Sequence, residues 1–113
     1  LGHIYFDNNR FNQAINAYNK SLELNPNQAD VWTDLGVMYR RTKQPAEAIK
    51  SFEKSISLVP THEQARFNKG VVLMYDLKDK AGAKAAWEEL LTINPVAMAP
   101  NGQSLRELIQ SIE

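Results

Sequence analysis

The chain has 113 residues, 43% of them hydrophobic, with 13 lysines and arginines balanced by 13 aspartates and glutamates and no cysteine. That length supports one modest core and not two, the neutral balance gives no long-range field toward nucleic acid or an anionic membrane, and the missing cysteines exclude disulfides, thiolate nucleophiles and cysteine metal sites. No apolar run is long enough to span a membrane, and the chain opens at Leu1 without Met, so we expect a soluble domain with an upstream segment, its compartment open between cytoplasm and periplasm if an upstream anchor or signal was removed.

Residues 1–28 form the first unit, which we read as a helix pair lacking the start of its first helix. Laid over residues 35–60 at a shift of about 34, it pairs Gly2 with Gly36, Tyr5 with Tyr39, Ala14 with Ala48, Tyr18 with Phe52 and Pro26 with Pro60. The second unit, 29–62, reads as two helices. Trp32, Leu35 and Tyr39 share one face, Ala48, Ile49, Phe52 and Ile56 share the next, and Gln44-Pro45 puts proline at a first helical position.

The third unit, 63–95, matches Gly70 to Gly36, and then Ala83, Trp87 and Pro95 to Ala48, Phe52 and Pro60 after one inserted residue. We place the insertion in the turn at 76–79, where a loop absorbs it. Thr61-His62-Glu63-Gln64 has capping-box spacing, Asp79 is a second cap, and Asn25-Pro26, Val59-Pro60 and Asn94-Pro95 stop the second helix of each unit. Residues 96–102 read as a short ordered loop. A last helix then begins at Ser104-Leu105-Arg106-Glu107, its apolar stripe Leu105, Leu108, Ile109 and Ile112 closing the open end.

Trp32, Leu35, Gly36, Tyr39, Ala48, Phe52 and Pro60 follow a Trp-x2-Leu-Gly-x2-Tyr, Ala, aromatic, Pro pattern that resembles the tetratricopeptide repeat. The small Gly36 and Ala48 let two antiparallel helices approach while Tyr39 and Phe52 fill the space around them. The third unit departs from the pattern, with Arg66 and Lys69 where Trp32 and Leu35 stand.

The resemblance implies one all-α domain over 1–113: a right-handed superhelix of antiparallel helix pairs, about three repeats with the first incomplete, and a C-terminal capping helix. It implies a concave groove lined by the first helices. Carried over, the groove positions are His3, Phe6 and Asp7; Asp30, Thr33, Asp34, Val37, Arg40 and Arg41; and Gln64, Phe67, Asn68, Val71, Met74 and Tyr75.

The expected partner is another polypeptide, with a homodimer through the same apolar strip as the alternative. Phe67, Val71, Met74 and Tyr75 form that strip, which calls for a cover, either a bound helix or peptide or another part of this chain. Arg40 and Arg41 suit a helix C-terminus, and Arg40 is a candidate to pair with an acidic group of a partner. The carboxylate clamp that some family members use is not matched, because its places hold His3, Asp34, Gln64 and Asn68. His3 and His62 have no neighbour at metal-ligand spacing, and no phosphate loop or nucleophile elbow occurs. We therefore expect no enzyme, with the non-catalytic part of a larger enzyme as a third alternative, and no metal or other cofactor, no nucleic-acid partner and no membrane insertion by this segment.

Overall fold

The computed structural model describes the backbone of residues 2–112 and the side chains of 10–112. Six α-helices follow in order: α1 (Gly2–Leu24), α2 (Ala29–Arg41), α3 (Pro45–Leu58), α4 (Glu63–Val71), α5 (Lys80–Ile93) and α6 (Leu105–Gln110). Each packs against the next in line, giving an all-α solenoid.

The α2–α3 pair shows why the small residues recur. Ala48 and Phe52 are fully buried, and a Cβ added at Gly36 would stand 2.5 Å from the Phe52 ring. Gly70 repeats the arrangement against Trp87, with Ala83 and Trp87 fully buried and the Trp87 indole N–H donating to the Phe67 carbonyl at 3.1 Å. Leu35 is buried with Ile15 and Leu22, while Trp32 and Tyr39 pack half-exposed on them and Ala14 is half-buried on α1. The prolines Pro60 and Pro95 stand exposed at the ends of α3 and α5.

A polar contact joins consecutive pairs. Trp32 donates its indole N–H to the Pro26 carbonyl at 2.7 Å, Arg66 donates Nε to the Pro60 carbonyl at 2.7 Å, and Arg106 donates Nε to the Pro95 carbonyl at 3.4 Å. Arg66 thus takes over the hydrogen bond of the tryptophan it replaces. The companion changes with it: Lys54 lies over the Trp32 ring at 6.0 Å, whereas the equivalent Glu89 pairs with Arg66 at 3.0 Å. Lys69, at the place of Leu35, reaches Glu53 at 3.4 Å.

Four features differ from the sequence reading. First, α1 is one continuous helix rather than a helix pair. The break between α2 and α3 is made by Lys43 at φ 62 and Pro45 at the first helical position. The first unit has Phe11 where Pro45 stands, and phenylalanine neither lacks an N–H nor clashes with the preceding turn. Second, the inserted residue is not absorbed in the turn. α4 runs into a π turn, Val72–Asp76, in which the Leu77 N–H reaches the Val72 carbonyl at 3.0 Å. The left-handed turn residues Lys43 and Lys78 (φ 62 and 58) are equivalent, yet lie one residue further apart than Gly36 and Gly70. The extra residue therefore sits inside the helix as a π bulge.

Third, His62 and not Thr61 caps α4, its Nδ1 accepting the Ala65 N–H at 3.2 Å. Fourth, Thr33 is buried, as described below. The other caps form as expected: Asp79 accepts the Gly82 N–H at 2.9 Å and Ser104 the Glu107 N–H at 3.2 Å. Between α5 and α6, residues 97–105 fold back through Ala99 N–H to the Gln103 carbonyl (2.8 Å) and Leu105 N–H to the Ala97 carbonyl (2.9 Å). Alternation along this segment buries Ala97 and Ala99 and leaves Val96 and Met98 exposed.

Candidate functional site

On α2 the residues Asp30, Asp34, Val37 and Arg41 follow at four- and three-residue steps and so share one face. Between that face and α4 lies a cleft of about 490 Å³ lined by Val37, Arg40, Arg41, Lys43, Phe52, Asn68, Val71 and Asp76. The expected groove residues Val37, Arg40, Arg41, Asn68 and Val71 are thereby brought together.

Thr33 is not among them. It is 1% exposed, donates to or accepts from the Ser55 hydroxyl at 2.8 Å and reaches the Ala29 carbonyl at 3.1 Å. It points between α2 and α3 because it lies one turn before Gly36, on the face that meets α3. The expected positions Gly2, Tyr5, His3, Phe6 and Asp7 lie outside the residues whose side chains the structure describes.

Along α4 and into the π turn, Phe67, Val71 and Met74 pack half-buried on the cluster of Trp87, Leu90, Ala97, Leu105 and Ile109. The Phe67 and Trp87 rings stack with centroids 5.9 Å apart. Of the two covers left open by the sequence, the chain's own C-terminal segment is the one seen over Phe67 and Met74, while Val71 also faces the main cleft. A smaller pocket of about 240 Å³ remains between Gln64, Phe67 and Asn68 on one side and Ala97, Met98 and Pro100 on the other. Tyr75 is exposed.

The cationic end of the main cleft is built from three residues at the close of α2. Arg40 donates Nε to Asp76 Oδ2 at 2.7 Å and a terminal nitrogen to Oδ1 at 3.4 Å. Its acidic partner in this structure is therefore within the chain. The sequence does not single out Asp76, because the insertion near it reads as part of a connecting turn; that one-residue insertion is also the signal that points to it. The Arg41 guanidinium lies over the Phe11 ring, 5.6 Å from its centroid. Arg41 and Lys43 also line an adjoining cleft of about 310 Å³ with Asn12, Thr42 and Gln44.

Acidic groups occupy the other end. His62 Nε2 lies 2.8 Å from Asp30 Oδ1. Since Nδ1 accepts from the backbone, the ring proton resides on Nε2 and is donated to that carboxylate. Burial, followed by repulsion from Asp30, raises the Asp34 pKa above its ordinary value of 3.8, with His62 opposing. Among the described residues no group of three or more His, Cys, Asp and Glu is placed to hold a metal ion, and no helix is long and apolar enough to cross a membrane.

Residues 2–43 match a family model described as TPR repeat, and residues 29–62 match one described as tetratricopeptide repeat. The human protein O-mannosyl-transferase TMTC3 is 33% identical over 89% of this chain, which spans 11% of that protein. The peroxisomal targeting signal receptor of Kluyveromyces lactis is 31% identical over 66% of this chain, which spans 13% of it. Among solved structures, MamA superposes with a TM-score of 0.70 at 30% identity, covering 76% of this chain and 50% of the other. The first TPR of Spaghetti (RPAP3), bound to the HSP90 peptide SRMEEVD, superposes with a TM-score of 0.79 at 22% identity, covering 98% of this chain and 83% of the other, a likeness of fold alone.

Proposed function

The chain belongs to the tetratricopeptide-repeat family, and from that premise we propose that it is a polypeptide-binding module whose partner lies along the concave cleft between α2 and α4. The observation that carries this reading is the cleft of about 490 Å³, in which Val37 and Val71 supply apolar surface and Arg40, Arg41 and Asn68 supply donors. Such a mixture suits a peptide or helix that sets apolar side chains between polar contacts. The reading assigns no catalysis to the chain. It also assigns no C-terminal carboxylate to the ligand, because Asp34 holds a clamp position and would repel one.

Peptides selected on the intact chain from a random display library test the proposal. Changing Val37 and Val71 together to Asp should release them, since truncated or charged anchors cost about 2 kcal/mol or more. Retention of the same peptides by the variant would move the binding surface elsewhere.

Self-association is a second reading, favoured by one observation: Val96 and Met98 are 80% and 61% exposed side by side on the segment before α6. Sedimentation over a range of concentrations should then show a dimer that Val96→Asp abolishes, and a monomer throughout would remove this reading.

A further inference from the structure

We propose that Arg41 and Lys43 form a seat for an acidic side chain of the bound polypeptide, and that Asp76 competes for it by holding Arg40; this rests on the polypeptide-binding reading above.

Among the described residues, the charges lining the main cleft are Arg40, Arg41 and Lys43 against the carboxylate of Asp76. Asp76 neutralises Arg40 through two contacts. Among the described residues neither Arg41 nor Lys43 forms an ion pair. The adjoining cleft, shared by Arg41 and Lys43, adds Asn12, Thr42 and Gln44 and, among the described residues, no carboxylate. Among the described residues, two clefts therefore meet at a pair of cations with donors around them and no carboxylate between.

Cations at a helix C-terminus are ordinarily explained by the free carbonyls there. At this end the carbonyls of Met38, Tyr39 and Arg40 already have partners. Thr42 N–H and its hydroxyl reach the Met38 carbonyl, Lys43 N–H reaches that of Arg40, and Gln44 N–H reaches that of Tyr39 at 2.8 Å. The turn is a Schellman closure with Lys43 at the left-handed position. Its geometry satisfies the helix end through the backbone, leaving the Arg41 and Lys43 head groups to face the clefts. The Phe11 ring beneath Arg41 steadies the guanidinium by its face, and the in-plane donors remain available to a carboxylate or phosphate.

Asp76 owes its place to the π turn. Counted back from the equivalent turn residues Lys43 and Lys78, Asp76 stands where Arg41 stands one unit earlier. The extra residue thus brings a carboxylate to the rim of the cleft, opposite Arg40. It acts there as an internal stand-in for the ligand's acid.

Three capped heptapeptides serve as probes against the full chain, followed by amide chemical shifts: alternating Leu and Glu, the same with phosphoserine for Glu, and the same with Gln. The acidic peptides should move the amides of residues 41–44 and bind tighter than the Gln peptide. Arg41→Gln with Lys43→Gln should cut that preference by about 5- to 20-fold, and raised salt should do likewise. Asp76→Asn should tighten the acidic peptides by about two- to five-fold, the range of an exposed ion pair, and leave the Gln peptide unchanged. These side chains lie outside the core clusters, and unchanged unfolding midpoints verify that the variants fold.

Binding by the phosphoserine peptide alone assigns the seat to a phosphorylated partner, by the Glu peptide alone to a carboxylate, and either supports the proposal. If the Gln peptide binds the cleft as well as the others, the groove stands and the anion seat falls. No shift at residues 41–44 with either acidic peptide at millimolar concentration also overturns it, whereas the groove reading is judged separately by the display experiment.

Discussion

Replacing Thr33 by Val keeps the shape of the side chain and removes its hydroxyl from the α2–α3 interface. Thr33 and Ser55 are 1% and 0% exposed, and their hydroxyls meet at 2.8 Å. Losing one member leaves the Ser55 oxygen buried without its partner, a penalty of about 1–3 kcal/mol. Ser55 lies on a helix and has the carbonyl four residues back as a substitute acceptor, which sets the expectation at about 1–2 kcal/mol, or roughly 4–8 °C in Tm for a chain of this size. Removing both hydroxyls in Thr33→Val/Ser55→Ala leaves no orphaned donor, so the double variant should recover about 1 kcal/mol relative to the sum of the singles. Urea unfolding of the four proteins measures the cycle. Additive costs, or a Thr33→Val variant within about 0.3 kcal/mol of the parent, would refute the assignment of this pair to a buried, mutually dependent bond.

Gly36→Ala should destabilise by about 1–3 kcal/mol in the same assay, because the new methyl meets the fully buried Phe52 ring and must displace it. Lys78→Gly should stabilise by about 0.5–1 kcal/mol, since φ 58 is strained for a side chain and free for glycine, with the gain reduced by glycine's entropy in the unfolded chain; a loss of stability would count against strain at this turn. Asp34 has a carboxyl held above 3.8 chiefly by burial and then by Asp30. The folded state therefore binds its proton more tightly than the unfolded state, and this contribution to stability is present below pH 3.8 and lost as pH rises through the raised value. Thermal melts should show Asp34→Asn more stable than the parent at pH 7, with the difference closing as the pH falls below 3.8; a constant gap across that range would contradict the assignment.

The repeat was legible because packing two helices at close range demands small residues at fixed places, and Gly36, Ala48, Gly70 and Ala83 mark them whatever surrounds them. Helix ends were legible where one side chain bonds its own backbone, as at Asp79 and Ser104. The cap of α4 was harder to read, because threonine is the ordinary choice and His62 acts through a ring nitrogen while its other nitrogen serves Asp30 on α2. Part of the candidate cleft could be read as a face of α2. Thr33 could not be separated from that face, since two adjacent helix positions differ only in which neighbour they meet.

Local patterns in the sequence alone determined the family, the all-α class, the small-against-aromatic contacts and the neutral, cysteine-free surface, because each depends on residue type at a short, regular spacing. Tertiary structure decided the continuous α1, the π turn within the third unit, the cover over Phe67 and the pairing of Arg40 with Asp76, which are 36 residues apart. An inserted residue looks the same in sequence whether a loop or a helix absorbs it, and a long arginine reaches whichever carboxylate the packing brings near. Those outcomes follow from how neighbouring helices compete for space and charge, and only the assembled solenoid resolves that competition.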